Sequence, residues 1–258
     1  MSQRDVPDYV PGNVEVWTKA NAEYTDASAR ESWAREEVTW GLWGIPDAEL
    51  GVLGDVAGLD VVELGCGTAY FGARLARQGA HVVGVDPTLA QLETARRMQR
   101  EFGLDVELVE GIGEAVPLPD ASFDLAISEY GASIWADPNR WIPEAARLLR
   151  ARGRLVFLRN STLLTLCARL EGAAGESLQR PQRGLFRIKW PDTGEVEFEP
   201  PVGVLMDILH GSGFQVERLL ELYAPEGAET HHYYDYVTAE WAQKWPNEEI
   251  WVARKIAK

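Results

Sequence analysis

The sequence predicts an α/β fold: a seven-stranded, mostly parallel sheet with helices on both faces. Three observations predict it. From about Leu59 to Leu158, short β-branched runs alternate with amphipathic helical patterns, the order in which βαβ units are built. A tight G-x-G turn at Gly65 and Gly67 joins the first run directly to a helix. Two further β-rich segments, FQVERLLEL and EEIWVARKI, supply the sixth and seventh strands. At 258 residues, one domain of this kind with embellishments accounts for the whole chain.

The elements follow in order. LDVVEL is the first strand, and AYFGARLARQG then places Phe71 with Leu75 and Gly72 with Ala76 at helical spacing before a stop at Gly79. HVVGVD is the second strand. After it Thr88 and Gln91 form a capping-box pattern, and Leu92, Ala95, Met98 and Phe102 share one helix face. VELVE and FDLAISE are the third and fourth strands. Asp137 and Pro138 read as a helix start, with Pro143 either kinking that helix or marking its true first turn. RLVFL closes the alternating region. Beyond it come a helix-like NSTLLTLCARLE, a Gly/Ser/Gln/Pro-rich link, a hairpin of GLFRIKW and EVEFE around PDTG, and a helix from about Val202 to Gly213.

The chain therefore divides into an N-terminal helical cap (1–58), a core (59–158), an insertion or lid (159–200) and C-terminal strands (201–258), all in a single domain. The cap holds Trp17, Trp33, Trp40 and Trp43, and Glu31 and Arg35 are spaced as an i,i+4 ion pair. Such a segment is expected to cover the edge or mouth of the sheet, its tryptophans either bordering a site or anchoring the arm to the core.

Composition excludes several partners. Lysine and arginine total 25 against 40 aspartate and glutamate, and the formal charge of −15 repels a polyphosphate, so no nucleic-acid partner is expected. Only Arg147, Arg150, Arg152 and Arg154 cluster, where a helix end meets a strand start, and they read as a solvated face complementing the helix dipole. No stretch approaches the roughly 18 to 20 apolar residues that span a bilayer. The opening MSQRDVPDYVPGNVEV has no apolar stretch behind a basic start, which points to a cytoplasmic protein, monomeric or homodimeric. Cys66 and Cys167 match no metal spacing, so neither a disulfide nor a metal site is expected.

The informative stretch is VVELGCGTAYFG, residues 61 to 72, where Glu63 stands two places before the G-x-G turn. Glycine lets the backbone adopt positive φ and approach a ligand closely. Asp86 ends the second strand 19 residues after Gly67, where a carboxylate accepts two ribose hydroxyls. These residues resemble the nucleotide-binding half of the class I S-adenosylmethionine-dependent methyltransferases, whose first motif runs acid-x-G-x-G; Tyr70 stands where dinucleotide folds carry a third glycine. The resemblance runs from about Val61 to Leu158 through VVELGCG, VVGVD, GIGEAVPLPDASFDLAISEY and LLRARGRLVFL, and the closing strands match the family's antiparallel sheet end. Out to EWAQKWPNEEIWVARK the chain looks like a bacterial group acting on small molecules.

The resemblance implies a Rossmann-like sheet with an antiparallel C-terminal strand. It also implies S-adenosylmethionine as cofactor, S-adenosylhomocysteine as product, and methyl transfer to a small molecule by direct displacement, with catalysis mainly by positioning. Carried onto this sequence, it sets the methionine moiety against Gly65, Cys66 and Gly67, with Glu63 organising that loop. Asp86 holds the ribose, with Pro87, Thr88 and Gln91 beside it. Ile112 replaces the aspartate that accepts from adenine in many relatives, which leaves groups near Gly113 and Glu114, or another side chain, for that contact. Ser128 faces the sulfonium. Trp43, Tyr130, Trp135 and His231 are candidates for the acceptor's surroundings, and the aromatic residues of the variable segments suggest a planar or apolar acceptor. His231 and His232 in THHYYDY read as catalytic residues or as an ordinary polar loop, and no general base announces itself. Two alternatives share the pattern: a non-catalytic cofactor-binding protein, and a nicotinamide-dependent oxidoreductase, against which Glu63, Tyr70 and the closing strands speak.

Overall fold

The computed structural model describes residues 6–23, 26–231, 234 and 236–257. Its main sheet comprises β1 (Asp60–Leu64), β2 (His81–Asp86), β3 (Glu107–Glu110), β4 (Phe123–Glu129), β5 (Leu149–Asn160), β6 (Phe214–Leu222) and β7 (Glu248–Lys255). The order across the sheet is β6-β7-β5-β4-β1-β2-β3. β7 runs antiparallel to both of its neighbours, and the other pairings are parallel, giving the Rossmann-like arrangement that the sequence predicts. All seven strand segments read from the sequence are present. β5 starts five residues earlier than RLVFL suggests, through an irregular register between Phe123–Leu149 and Leu125–Arg154.

Strands of a parallel sheet covered on both faces are apolar on both faces, and alternate residues sort between two cores. Val61, Leu125, Ile127, Val156 and Leu158 point to one core with Trp33, Trp40, Phe71, Leu92 and Met98. Val62, Leu64, Ala126, Leu155, Phe157 and Trp251 point to the other, against Trp141, Ile142, Leu205 and Leu209. The helices on these faces are α1 (Val10–Glu23), α2 (Asp26–Ala34), α3 (Tyr70–Arg77), α4 (Leu89–Phe102), α5 (Ala132–Trp135), α6 (Pro138–Leu148), α7 (Thr162–Cys167), α8 (Val202–Gly211) and α9 (Ala239–Ala242). Arg187–Lys189 and Val196–Phe198 pair antiparallel, as the hairpin reading requires.

Several local expectations change. Thr88 does stand at the N-cap of α4 but makes no side-chain cap bond, because its hydroxyl hydrogen-bonds the Asp86 carboxylate instead. α6 begins at Pro138, where the Asp137 side chain accepts the Asn139 N–H, and the helix runs through Pro143. α7 is shorter than NSTLLTLCARLE implies. Arg180 donates to the carbonyls of Thr165 and Ala168, satisfying groups that another turn of helix would have used. The arginine cluster is part-exposed, and three of its members are tied down by surface contacts while Arg152 is exposed. Arg147 holds Glu144, Asp120 and two loop carbonyls; Arg150 bridges Asp60 and Asp124; Arg154 donates to the carbonyls of Val52 and Leu53. Glu31 and Arg35 do pair, at 3.2 Å, but are exposed, so the pair adds little stability. Trp33 and Trp40 are fully buried anchors, donating to the Thr68 carbonyl and the Asp47 carboxylate.

Cys66 and Cys167 are free and buried. Among the described residues no group of side chains is arranged to hold a metal, and no helix is long and apolar enough to cross a membrane.

Candidate active site

Ligands of open α/β sheets sit outside the carboxyl ends of the strands, and here the ends of β1, β2 and β4 open into one cavity of about 850 Å³. Its floor is the loop after β1. Gly65 and Gly67 have φ of +75° and +54°, and the amides of Gly65 and Cys66 both donate to the Val85 carbonyl. Asp86 closes the loop from the side: its Oδ2 accepts the Gly67 N–H at 2.9 Å and its Oδ1 the Thr88 N–H at 2.8 Å. Burial pushes the Asp86 carboxyl up, and these hydrogen bonds pull it back. Burial, with the charges of Asp86 and Glu63, keeps the Cys66 thiol protonated, so it is not a nucleophile.

Of the candidates read from the sequence, Gly65, Cys66, Gly67, Asp86, Pro87, Thr88, Gln91, Gly113, Glu114, Tyr130, Trp135 and His231 line this cavity. His232 lies outside the described residues. Glu63, Ser128 and Trp43 are not part of the wall. Glu63 is buried under the cavity floor, where its Oε2 accepts the Gly72 N–H of the first turn of α3 at 2.9 Å. Ser128 clamps two strand ends from beneath: its hydroxyl donates to the Leu64 carbonyl and accepts the Ser133 N–H. Trp43 donates to Asn247 at 2.8 Å and packs with the cluster around Leu164 and Trp241.

Apart from Trp17, one of the cap tryptophans, the cavity also has walls that the sequence did not nominate. One face of α1, formed by Val10, Asn13, Val14, Trp17, Ala20 and Asn21, roofs it. The spacing of three and four residues was the available signal, disguised because two of the six are asparagine. Asn13 pairs with the Val196 backbone through both its amide groups, and Trp17 meets Trp135 edge to face at 5.1 Å. The Trp17 indole N–H is buried with no hydrogen-bond partner among the described residues. Glu129, Asn160, Trp190, Glu197 and Tyr236 also line the cavity. The Glu129 carboxylate accepts from the Tyr70 hydroxyl at 2.6 Å and the Gly41 N–H at 3.2 Å. One oxygen of the Glu114 carboxylate, Oε1, accepts from both the Tyr9 hydroxyl and the Asp137 N–H.

The loop after β1 therefore forms a narrow cradle, a carboxylate flanks it, and a second compartment adjoins it. Residues 62–157 match the model of a family described as methyltransferase domain. Over that segment the chain is similar to methyltransferase domains. The chain is 35% identical over 122 residues to a demethylmenaquinone methyltransferase of Clavibacter sepedonicus, covering 47% of this chain and 48% of that one. It is 31% identical over 100 residues to a ubiquinone biosynthesis O-methyltransferase of Maricaulis maris, covering 38% of this chain and 39% of the relative. The matches thus span about half or less of these curated relatives. An S-adenosylmethionine-dependent methyltransferase from Mesorhizobium loti shares the fold, with a TM-score of 0.66 at 24% identity over 81% of this chain and 96% of its own. An added Cβ at Gly65 would stand 2.6 Å from backbone atoms of Gly131 and Ala132, so the loop after β1 and the turn after β4 pack backbone to backbone and leave no room for a side chain there.

Proposed function

We propose that the protein transfers the methyl group of S-adenosylmethionine to a small, planar acceptor by direct displacement. The observation that carries this reading is the continuity of one cavity from the Gly65–Gly67 cradle and Asp86 to an aromatic compartment at Tyr130, Trp135 and Tyr236. The donor already holds a good leaving group, so the protein's task is alignment, which is worth about 7 to 11 kcal/mol. Asp86 is assigned the ribose, the Gly65-Cys66-Gly67 loop the methionine moiety, and the turn at Gly113 and Glu114 the adenine edge. The adenine amino group is assigned to the backbone carbonyls of that turn or the second Glu114 oxygen, and the Trp17 indole N–H, a donor only, is assigned to an adenine ring nitrogen.

Equilibrium dialysis against S-adenosylmethionine, S-adenosylhomocysteine and NAD tests the cofactor assignment, with binding of the first two and not the third expected. Mass spectrometry for a gain of one methylene across a library of hydroxylated and aminated ring compounds then tests the transfer. Binding without any methylated product would favour a cofactor-binding protein that does not turn over. For Asp86→Ala, losing a charge-assisted hydrogen bond of about 1.5 to 3 kcal/mol is expected to weaken cofactor binding at least about tenfold. Unchanged affinity by calorimetry would remove Asp86 from the ribose site.

A further inference from the structure

Half-buried Tyr130 and buried Glu248 form a pair that alignment alone does not use. Tyr130 directly follows β4 and has a φ of +54°, a conformation rare for a bulky side chain and concentrated at functional sites. It lines the cavity beside Gly131, whose backbone touches the Gly65 loop, so it stands where the cradle meets the acceptor compartment. Its hydroxyl donates to Glu248 Oε1 on β7, and that oxygen also accepts the Leu42 N–H at 2.6 Å.

Glu248 is 0% exposed, and among the described residues its Oε2 meets no donor in good hydrogen-bonding geometry, the Asn247 side chain beside it making only a weak contact. The groups facing this carboxyl are Tyr130 and Glu129 from the end of β4, the Leu42 amide, Asn247, Tyr236, whose hydroxyl is 3.5 Å from that of Tyr130, and Asn160, its register partner on β5. A buried carboxylate with one oxygen unpaired is costly, and such a group in a native fold calls for a task.

We propose that Tyr130 and Glu248 are a proton relay that takes the proton from a hydroxyl acceptor as it is methylated. The assignment rests on the methyl-transfer reading above. The acceptor oxygen forms its bond to the methyl carbon, and the carbon–sulfur bond breaks with its electron pair going to sulfur. The acceptor's proton passes to the Tyr130 oxygen while the Tyr130 proton passes to Glu248. Because Tyr130 already donates to Glu248, its oxygen is left to accept, which selects an acceptor that donates an O–H. Burial, reinforced by the charge of Glu129, holds the Glu248 carboxyl up to about 7 against the hydrogen bonds from Tyr130 and Leu42. Such a group takes up a proton near neutrality and releases it again.

The test compares wild type, Tyr130→Phe and Glu248→Gln. Calorimetry with S-adenosylmethionine is combined with turnover on catechol, 4-hydroxybenzoate and benzyl alcohol, and on benzylamine and thiophenol as contrasting probes. Wild type is expected to methylate a hydroxyl probe, with kcat/KM rising through about pH 7 as Glu248 ionises. Both variants should bind the cofactor normally and lose about 10² to 10⁴ in kcat, and the rise through neutral pH should vanish in Glu248→Gln. Tyr130→Phe keeps the ring and decides the matter should Glu248→Gln fold poorly. Variants that bind the cofactor and turn over within a few-fold of wild type overturn the relay, as does a wild type that methylates no hydroxyl probe. A wild type that does not bind S-adenosylmethionine overturns the methyl-transfer reading itself.

Discussion

Alanine at Gly65 is expected to reduce S-adenosylmethionine affinity by about a hundredfold or more and to lower thermal stability. The residue sits at φ +75°, a conformation that costs an L side chain about 1 to 2 kcal/mol. The larger effect is steric. A Cβ there would lie 2.6 Å from the Ala132 nitrogen and the Gly131 Cα, and a Cβ at Gly131 would lie 2.3 Å from the Gly65 carbonyl oxygen. These obstacles are backbone atoms, which cannot rotate aside, so the loop after β1 must move away from the turn after β4. A displacement of about 1 Å is enough to cost roughly a hundredfold where alignment is the main contribution. Gly131→Ala should behave alike. Calorimetric affinity within a few-fold of wild type in both variants would show that the two turns do not form the cradle, and thermal unfolding reports the accompanying destabilisation.

Arg159→Met is expected to destabilise the fold by about 3 to 5 kcal/mol, the range for removing one partner of a buried ion pair. Arg159 lies on β5 with 1% exposure; its guanidinium donates to the Glu199 carboxylate and to the Pro200 carbonyl, and its Nε is 3.8 Å from Glu249. Asn160 also donates to Glu199, and the Trp251 indole donates to Glu249. Methionine fills much of the space but leaves two buried carboxyls without their countercharge. Burial already raises the Glu249 carboxyl, and Arg159 is the charge that opposes this. Without it, ionising the folded protein costs more, so the deficit is present above the unfolded carboxylate pKa and shrinks as pH falls through the raised folded value. Urea unfolding at about pH 8 and about pH 5 should show a smaller difference from wild type at the lower pH. A constant difference would mean that lost packing, rather than charge, dominates.

The sequence by itself determined the strands and the turn and carboxylate that line one end of the cavity. The period-two and 3.6-residue patterns come from backbone geometry acting over a few neighbours, so seven strands were legible, as was the turn from Glu63 to Gly67 with Asp86 at the next strand end. Tertiary structure decided what depends on which distant segments meet. Gly131 backs onto Gly65, Asn13 pairs with Val196 across 183 residues, and Glu248 reaches Tyr130 across 118. Glu63 and Ser128 stay out of the cavity wall because strand alternation turns them into the sheet's two opposite faces, where they bond the Gly72 N–H and the Leu64 carbonyl. The insertion of β7 between β6 and β5 is what brings Glu248 to the mouth of β4, and no spacing along the chain encodes that placement.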